Sequence, residues 1–384
     1  MRCLKTLLCS LFLTVSFVCF SQDSLQKDGL IRRYINSLLY EPEDPAQPQF
    51  LIYPTFAFSP ETNWEFGLSA LYVYYAKRDT ANRLSEISGF TFYTLENQYG
   101  IFLDHALYSD NDDYFFLGRL RYQSFPLLFY GIGPNTPSEH IARVDGNFIL
   151  LKERFLRKVY HSFYIGAELD YQHLGNVDFN HSDPENPGDI PPGGNGSSNF
   201  GMGVGIVYDN RHNVLNVRDG LFSELAFLRY DDAWGSDFSF TSLVSDTRIF
   251  KPVNKRNVIA AQLFGQFTVS GQAPFNQLAL MGGESIMRGY YLGRYRDNNL
   301  VAAQLEYRFL PLPLGFTDRV GASLFTSVGQ VFGQESNFNF SKFLPTGGAG
   351  LKFLLFPKKD IYTRFDVAFT REGTGFYIFI GEAF

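Results

Sequence analysis

From Gln49 onward, apolar and polar residues alternate with a period of two in segment after segment. In 64–75, Phe66, Leu68, Ala70, Tyr72 and Tyr74 share one face, and Glu65, Gly67 and Ser69 the other. Phe376, Ile378, Ile380 and Phe384 repeat the pattern at the end of the chain. A strand places successive side chains on opposite faces, whereas a helix needs a spacing of three to four. No window after residue 30 offers the roughly 18 uninterrupted apolar residues of a spanning helix. Charged residues make up 19% of the chain and aromatics 17%, where average domains are about a quarter charged. Alternation, scarce charge and abundant rings together predict a membrane β-barrel, lipid-facing on one side of each strand and polar on the other.

Turn signals divide 49–384 into sixteen strands, an even number as bacterial barrels use. The expected fold is all-β: a 16-stranded antiparallel transmembrane barrel with one long loop folded inward. The sixth and seventh strands are expected at 139–152 and 159–174, and the last at 375–384. Basic residues recur in turns that follow even-numbered strands, at Lys77-Arg78, Arg154 with Arg157-Lys158, Lys251 with Lys255-Arg256, and Lys358-Lys359. Their recurrence puts them on one side, taken as periplasmic.

The N-terminus supplies an address. Arg2 and Lys5 precede the apolar run 7–20, and Ser21-Gln22 follows, which predicts a signal peptide over 1–21. Residues 22–48 form a short periplasmic segment. There Leu30, Ile31, Tyr34, Ile35, Leu38 and Leu39 have the spacing of an amphipathic helix, and Pro42, Pro45 and Pro48 a linker. The three cysteines, Cys3, Cys9 and Cys19, all precede residue 22, so the remainder has no disulfide or thiol chemistry.

Catalytic signals are missing. There is no G-x-S-x-G, H-E-x-x-H or P-loop motif. His105 sits in a strand, as the histidine of an outer-membrane phospholipase would, without a serine partner that the sequence identifies. The 175–199 loop holds Asp178, Asn180, His181, Asp183, Glu185 and Asp189, but their spacing is not that of a calcium loop, and Pro184, Pro187, Pro191 and Pro192 favour a solvated segment. A net charge of -6 without basic patches disfavours nucleic acid. No enzyme, cofactor, metal site or nucleic-acid partner is expected.

The segment 281–298 stands apart. It carries Gly282 and Gly283, then Arg288-Gly289-Tyr290, Arg294 and Arg296, and neither alternates nor shows a helical stripe. It resembles the sixth extracellular loop of the BamA/TamA family, the bacterial surface antigen proteins. Further motifs agree in family order over 120–384: 129–135 (FYGIGPN), 209–220 with Asp209-Asn210-Arg211 and Arg218-Asp219-Gly220, 306–309 (EYRF) and 347–351 (GGAGL). The resemblance implies that this loop folds into the barrel with its arginine against acidic wall residues.

Parity names those acids. If Val301, Ala303, Leu305, Tyr307 and Phe309 face lipid, where a charge costs about 2–4 kcal/mol at the midplane, then Gln304, Glu306 and Arg308 face the lumen. Likewise Phe365, Val367 and Phe369 send Arg364 and Asp366 inward. Glu306 and Asp366 are thus the expected partners of Arg288. The family's Phe-x-Asp-x-Gly reads Phe325-Thr326-Ser327-Val328-Gly329 here, with Ser327 in the acid's place. The strand from Tyr377 to a terminal Phe384 resembles the family's assembly signal and closes a lateral seam with 49–59.

The resemblance implies a bacterial outer-membrane protein acting in protein insertion, assembly or translocation, or in a derived envelope role. The alternative is a passive pore or structural barrel. The expected partners are outer-membrane lipid, client outer-membrane or secreted proteins, and a separately encoded periplasmic protein or a second copy. The last follows because 22–48 is too short for the POTRA domains that the family carries.

Overall fold

The computed structural model describes residues 44, 46–124, 126–185, 187–211, 216–334, 336–356 and 360–384. The expected signal peptide and N-terminal helix lie outside the described residues, as do Lys358 and Lys359.

The strands are β1 (Gln49–Ser59), β2 (Asn63–Tyr75), β3 (Leu84–Thr94), β4 (Tyr99–Tyr108), β5 (Tyr114–Ser124), the short β6 (Leu127–Phe129), β7 (Ala142–Tyr160), β8 (Phe163–His181), β9 (Ser197–Asp209) and β10 (Gly220–Tyr230). There follow β11 (Phe240–Pro252), β12 (Asn257–Gly271), the short pair β13 (Ala279–Met281) and β14 (Tyr295–Asp297), β15 (Asn299–Phe309), β16 (Val320–Phe332), β17 (Leu344–Phe356), β18 (Ile361–Thr370) and β19 (Gly373–Ile380). Each long strand pairs antiparallel with its neighbour, and β1 also pairs with β19, so the sheet closes. The result is a 16-stranded antiparallel barrel, with β6 capping the β5–β7 hairpin and the β13–β14 hairpin forming a separate sheet.

Burial inverts the usual order of a globular protein. Phe56, Leu68, Ile101, Leu120, Leu263, Leu324, Leu351 and Phe369 are exposed on the outer wall. Glu168, Asp170, Asp246, Gln262, Glu306, Arg308, Lys352 and Asp366 are buried inside. An apolar exterior around a polar lumen is what a lipid solvent selects. Closure also leaves no open sheet edge to hydrocarbon, where unpaired backbone groups are costly.

Two expectations are corrected. The sixth barrel strand runs to Tyr160 rather than ending at 152, so Arg154 is no turn residue. It is buried in the lumen, with Nε 3.1 Å from Glu168 and a further ion pair to Glu224. Inward charges spaced every second residue mimic the composition of a turn. The last strand ends at Ile380 rather than at 384. Gly381, at φ +92°, takes a conformation that side-chain-bearing residues avoid. Beyond it Ala383 and Phe384 pack against Val217, Phe250 and Ala260.

Closure is uneven. The β1–β2 ladder runs unbroken from Gln49↔Val73 to Ser59↔Asn63, and β18–β19 from Thr363↔Ile380 to Thr370↔Gly373. Between β1 and β19 the single register pair is Phe58↔Ile378. Pro54, which has no N–H to give a ladder, lies in β1. Proline in sheets belongs to edges.

Candidate functional site: the lumen lock and the seam

The segment 271–298 folds into the barrel. Glycines make the bend possible. Gly282 has φ +120°, and a Cβ there would lie 2.0 Å from the Tyr291 carbonyl oxygen. Gly283 N–H then donates to the Tyr290 carbonyl at 2.9 Å, closing the loop on itself. Met281, Met287, Tyr290 and Tyr295 from this segment pack against Leu300, Ala302, Val331 and Leu344 of the barrel wall.

At the tip, Arg288 is buried. Its Nη2 donates to Glu306 Oε2 at 2.7 Å and its Nη1 to Asp366 Oδ2 at 2.6 Å. The guanidinium stacks 3.6 Å above the Phe325 ring. Burial disfavours the charge, but Glu306 and Asp366 more than offset it and hold the Arg288 pKa above its ordinary value. The planar fork lets one side chain engage two carboxylates and a ring at once, which lysine cannot do. The tip backbone is fixed as well: Gly289 N–H donates to the Tyr377 hydroxyl at 2.9 Å, Thr346 Oγ1 donates to the Arg288 carbonyl, and the Tyr290 hydroxyl reaches the Pro345 carbonyl at 3.5 Å.

Ser327 takes a different part from an acid. Its hydroxyl donates to Gln304 Oε1 at 3.0 Å, and Gln304 Nε2 donates to Gln262 Oε1 and to the Ser285 carbonyl, each at 2.7 Å. The serine therefore orients an amide that holds the loop backbone, while Arg288 has two carboxylates rather than three.

Glu306 is shared. While Oε2 receives Arg288, Oε1 receives Arg308 Nε at 3.1 Å and Lys352 Nζ at 2.9 Å. Arg308 and Lys352 in turn meet Glu382, and Arg308 Nη2 donates to the Phe384 carbonyl at 3.0 Å. Arg364 Nη1 donates to Asp366 at 2.6 Å. Four buried cations thus surround three side-chain carboxylates and the Phe384 oxygen, so desolvation is offset within one cluster.

The sequence bears a match to a family model described as the Omp85 superfamily domain, over residues 108–384. The chain belongs to the Omp85 superfamily. Among curated proteins no sequence match was found. Of solved structures, this Omp85 barrel is similar to BamA from Haemophilus ducreyi lacking POTRA domains 1-3. The TM-score is 0.57 at 15% identity, covering 87% of this chain and 70% of that one. It is similar also to CdiB from Acinetobacter baumannii, at TM-score 0.53 and 12% identity, covering 94% and 69%. Both likenesses concern the fold, that of an outer-membrane β-barrel.

Several residues of the Omp85 site escaped sequence reasoning. Lys352 was legible by parity, because it shares the inward face of β17 with Thr346 and Gly350 while Leu351 and Phe353 are exposed. Glu382 was not, since it lies beyond the last strand. Outside the cluster, Arg294 donates to Glu372 at 2.7 Å and to Thr136 at 2.7 Å. Arg296 stacks over Phe129 and Phe275, and Gly133 N–H donates to the Arg296 carbonyl at 2.7 Å. The 129–135 motif is therefore a dock for the loop.

His105 is placed on the outer wall. Its Nε2 lies 3.1 Å from Glu153 Oε1 across Gly118, with the apolar rows Leu103–Leu120–Leu151 and Leu107–Phe116–Phe155 on either side. Its hydrogen-bond partner is a carboxylate. Among the described residues there is no group of three or more His, Cys, Asp and Glu that could hold a metal ion.

Proposed function

We propose that this Omp85 barrel resides in the bacterial outer membrane and acts in inserting or translocating proteins there, by parting the seam between β1 and β19. The observation that carries this reading is the Phe58↔Ile378 pair, the single register pair where every other neighbouring junction of the barrel has a ladder. Each ladder pair lost removes backbone hydrogen bonds worth about 0.5–1.5 kcal/mol apiece, so this junction is the least costly to open. Arg288, Glu306 and Asp366 then serve to hold the loop in the lumen, with Gly282, Gly283, Gly289 and Tyr290 shaping it. Tyr377 and Phe384 tie the last strand and its tail to that assembly. The loop and Phe384 obstruct part of the lumen, which weighs against a passive pore.

The test uses the absence of cysteine from 22–384. Phe58→Cys with Ile378→Cys places two thiols on paired Cα positions, within disulfide reach. The oxidised barrel is expected to lose insertion of a client barrel into liposomes and to regain it on reduction. Equal insertion by the oxidised and reduced forms would overturn the proposal.

A further inference from the structure

The lumen loop is fastened on both sides of the seam. On the β1 side, Glu61, in the turn between β1 and β2, accepts the Leu292 backbone N–H on Oε1 at 2.8 Å. On the β19 side, the Tyr377 hydroxyl accepts the Gly289 N–H at 2.9 Å. Glu372, in the β18–β19 turn, accepts Nε and Nη2 of Arg294 at 2.7 and 3.1 Å. These anchors fall within six consecutive loop residues. The direct junction, by contrast, has the one register pair Phe58↔Ile378.

We propose that segment 289–294 is a clasp that keeps β1 and β19 together, gripping the first hairpin through Glu61 and the last through Tyr377 and Glu372, with Glu61 as its release point. The proposal rests on the seam being the working part of the barrel. It adds to that reading a cause of closure, which is the loop rather than the ladder.

Glu61 is suited to release because its charge is badly housed. Oε2 is buried and makes no hydrogen bond. The groups around it are Glu284 from the loop, Glu65 on β2, Tyr291, Tyr377, Tyr130 and Ser59, of which only the Ser59 hydroxyl, with the Leu292 N–H, favours the charge. No cation is among them. Burial, and then repulsion from Glu284, push the Glu61 carboxyl up to about 7. A carboxyl whose pKa is raised on folding stabilises the folded contact fully below its unfolded value and loses that contribution as pH climbs through the raised one. The clasp is therefore firmer near pH 6 than near pH 8. Near pH 8 it is strained, because the buried Glu61 carboxylate is then charged and faces Glu284.

Spin labels at Phe56→Cys and Phe376→Cys, both on the outer wall of the seam strands, report its width in lipid nanodiscs. The wild-type background is expected to give one short distance at pH 6 and a growing longer component by pH 8. Glu61→Gln keeps an acceptor without the charge, and should hold the short distance at both values. Glu61→Ala and Tyr377→Phe, each removing one grip, should enlarge the open fraction roughly five- to tenfold at pH 6, as losing a hydrogen bond of about 1–1.4 kcal/mol would. Heat-modifiable migration reports whether each variant is folded, and Tyr377→Phe stands in should Glu61→Ala fail to fold. Distances unchanged by these substitutions at both pH values would overturn the clasp, and would leave the seam mechanism standing if the disulfide lock still abolishes insertion. Altered distances with insertion indifferent to the lock would instead count against the proposed function alone.

Discussion

The guanidinium of Arg308 donates to the backbone carbonyl of Phe384 at 3.0 Å from inside the barrel, so the C-terminal tail is held by the strand that also holds the loop. Glu306 connects the two, since it receives Arg308 on one oxygen and Arg288 on the other. Arg308→Ala should loosen the tail at Phe384, with Lys352 still holding Glu382 and, with Arg288, still neutralising Glu306. The expected cost is about 1.5–3 kcal/mol, the range for a hydrogen bond to a charged group. Carboxypeptidase should then remove Phe384 and Ala383 from the folded barrel, with segment 281–298 still protected. Combined with Arg288→Ala, the two costs should fail to add by about 0.5–3 kcal/mol, as expected for residues in one network.

Arg288→Ala removes the stack on Phe325 and the bridge between Glu306 and Asp366, while Arg308 and Lys352 still neutralise Glu306 and Arg364 still neutralises Asp366. Losing hydrogen bonds to charged groups that keep other partners costs about 1.5–3 kcal/mol. The expected outcome is a barrel that unfolds at lower temperature on heat-modifiable migration and is cleaved by protease within 281–298. Arg288→Lys should rescue little, because an ammonium cannot span Nη1 to Asp366 and Nη2 to Glu306. Wild-type migration and protection in both variants would show that the loop is held elsewhere.

Gly289 has φ +104°, and a Cβ there would stand 2.6 Å from Cγ2 of Thr370 and 3.3 Å from Cβ of Ala368. Gly289→Ala is expected to cost about 1–3 kcal/mol in backbone strain and crowding. It should loosen the contact with Tyr377 while Arg288 keeps its carboxylates. Protease cleavage between 289 and 294, with little change in the melting of the barrel itself, is the signature to look for.

On the outer wall, the His105–Glu153 pair closes over Gly118, where a Cβ would lie 2.2 Å from His105 Nε2 and 2.4 Å from Glu153 Oε1. Glu153→Leu alone should destabilise, because it strips the partly buried, lipid-side ring of its partner, by about 1–3 kcal/mol. Joined with His105→Leu, the loss should be recovered or reversed, since exchanging a paired polar couple for apolar side chains in an apolar setting is often neutral or favourable. Equilibrium unfolding in urea from lipid vesicles measures both. A double variant weaker than either single one would assign the pair a structural role that hydrocarbon does not explain.

Much of the barrel was legible because lipid enforces parity. Once Leu305 and Phe369 were assigned outward, Glu306 and Asp366 could only point inward, and both meet Arg288. What parity cannot reach is geometry beyond the strands. Gly381 turns the chain by adopting a positive φ, which alternation does not encode, so Phe384 was expected in a strand and lies in the lumen. Arg154 looked like turn chemistry because its neighbours Arg157 and Lys158 are basic, yet it serves Glu168 and Glu224. The contact between Glu61 and Leu292 joins residues 231 positions apart. It depends on how far the loop penetrates, which strand spacing leaves unspecified.

The loop and the C-terminal residues enter the bore beside a polar cavity of about 680 Å³. Under the proposed function, a passenger would pass at the β1–β19 junction, in the plane of the bilayer. The width of what can be handled is then set by how far two strands separate and how much lipid yields beside them. The number of strands, which fixes the calibre of an open pore, would have no bearing on it.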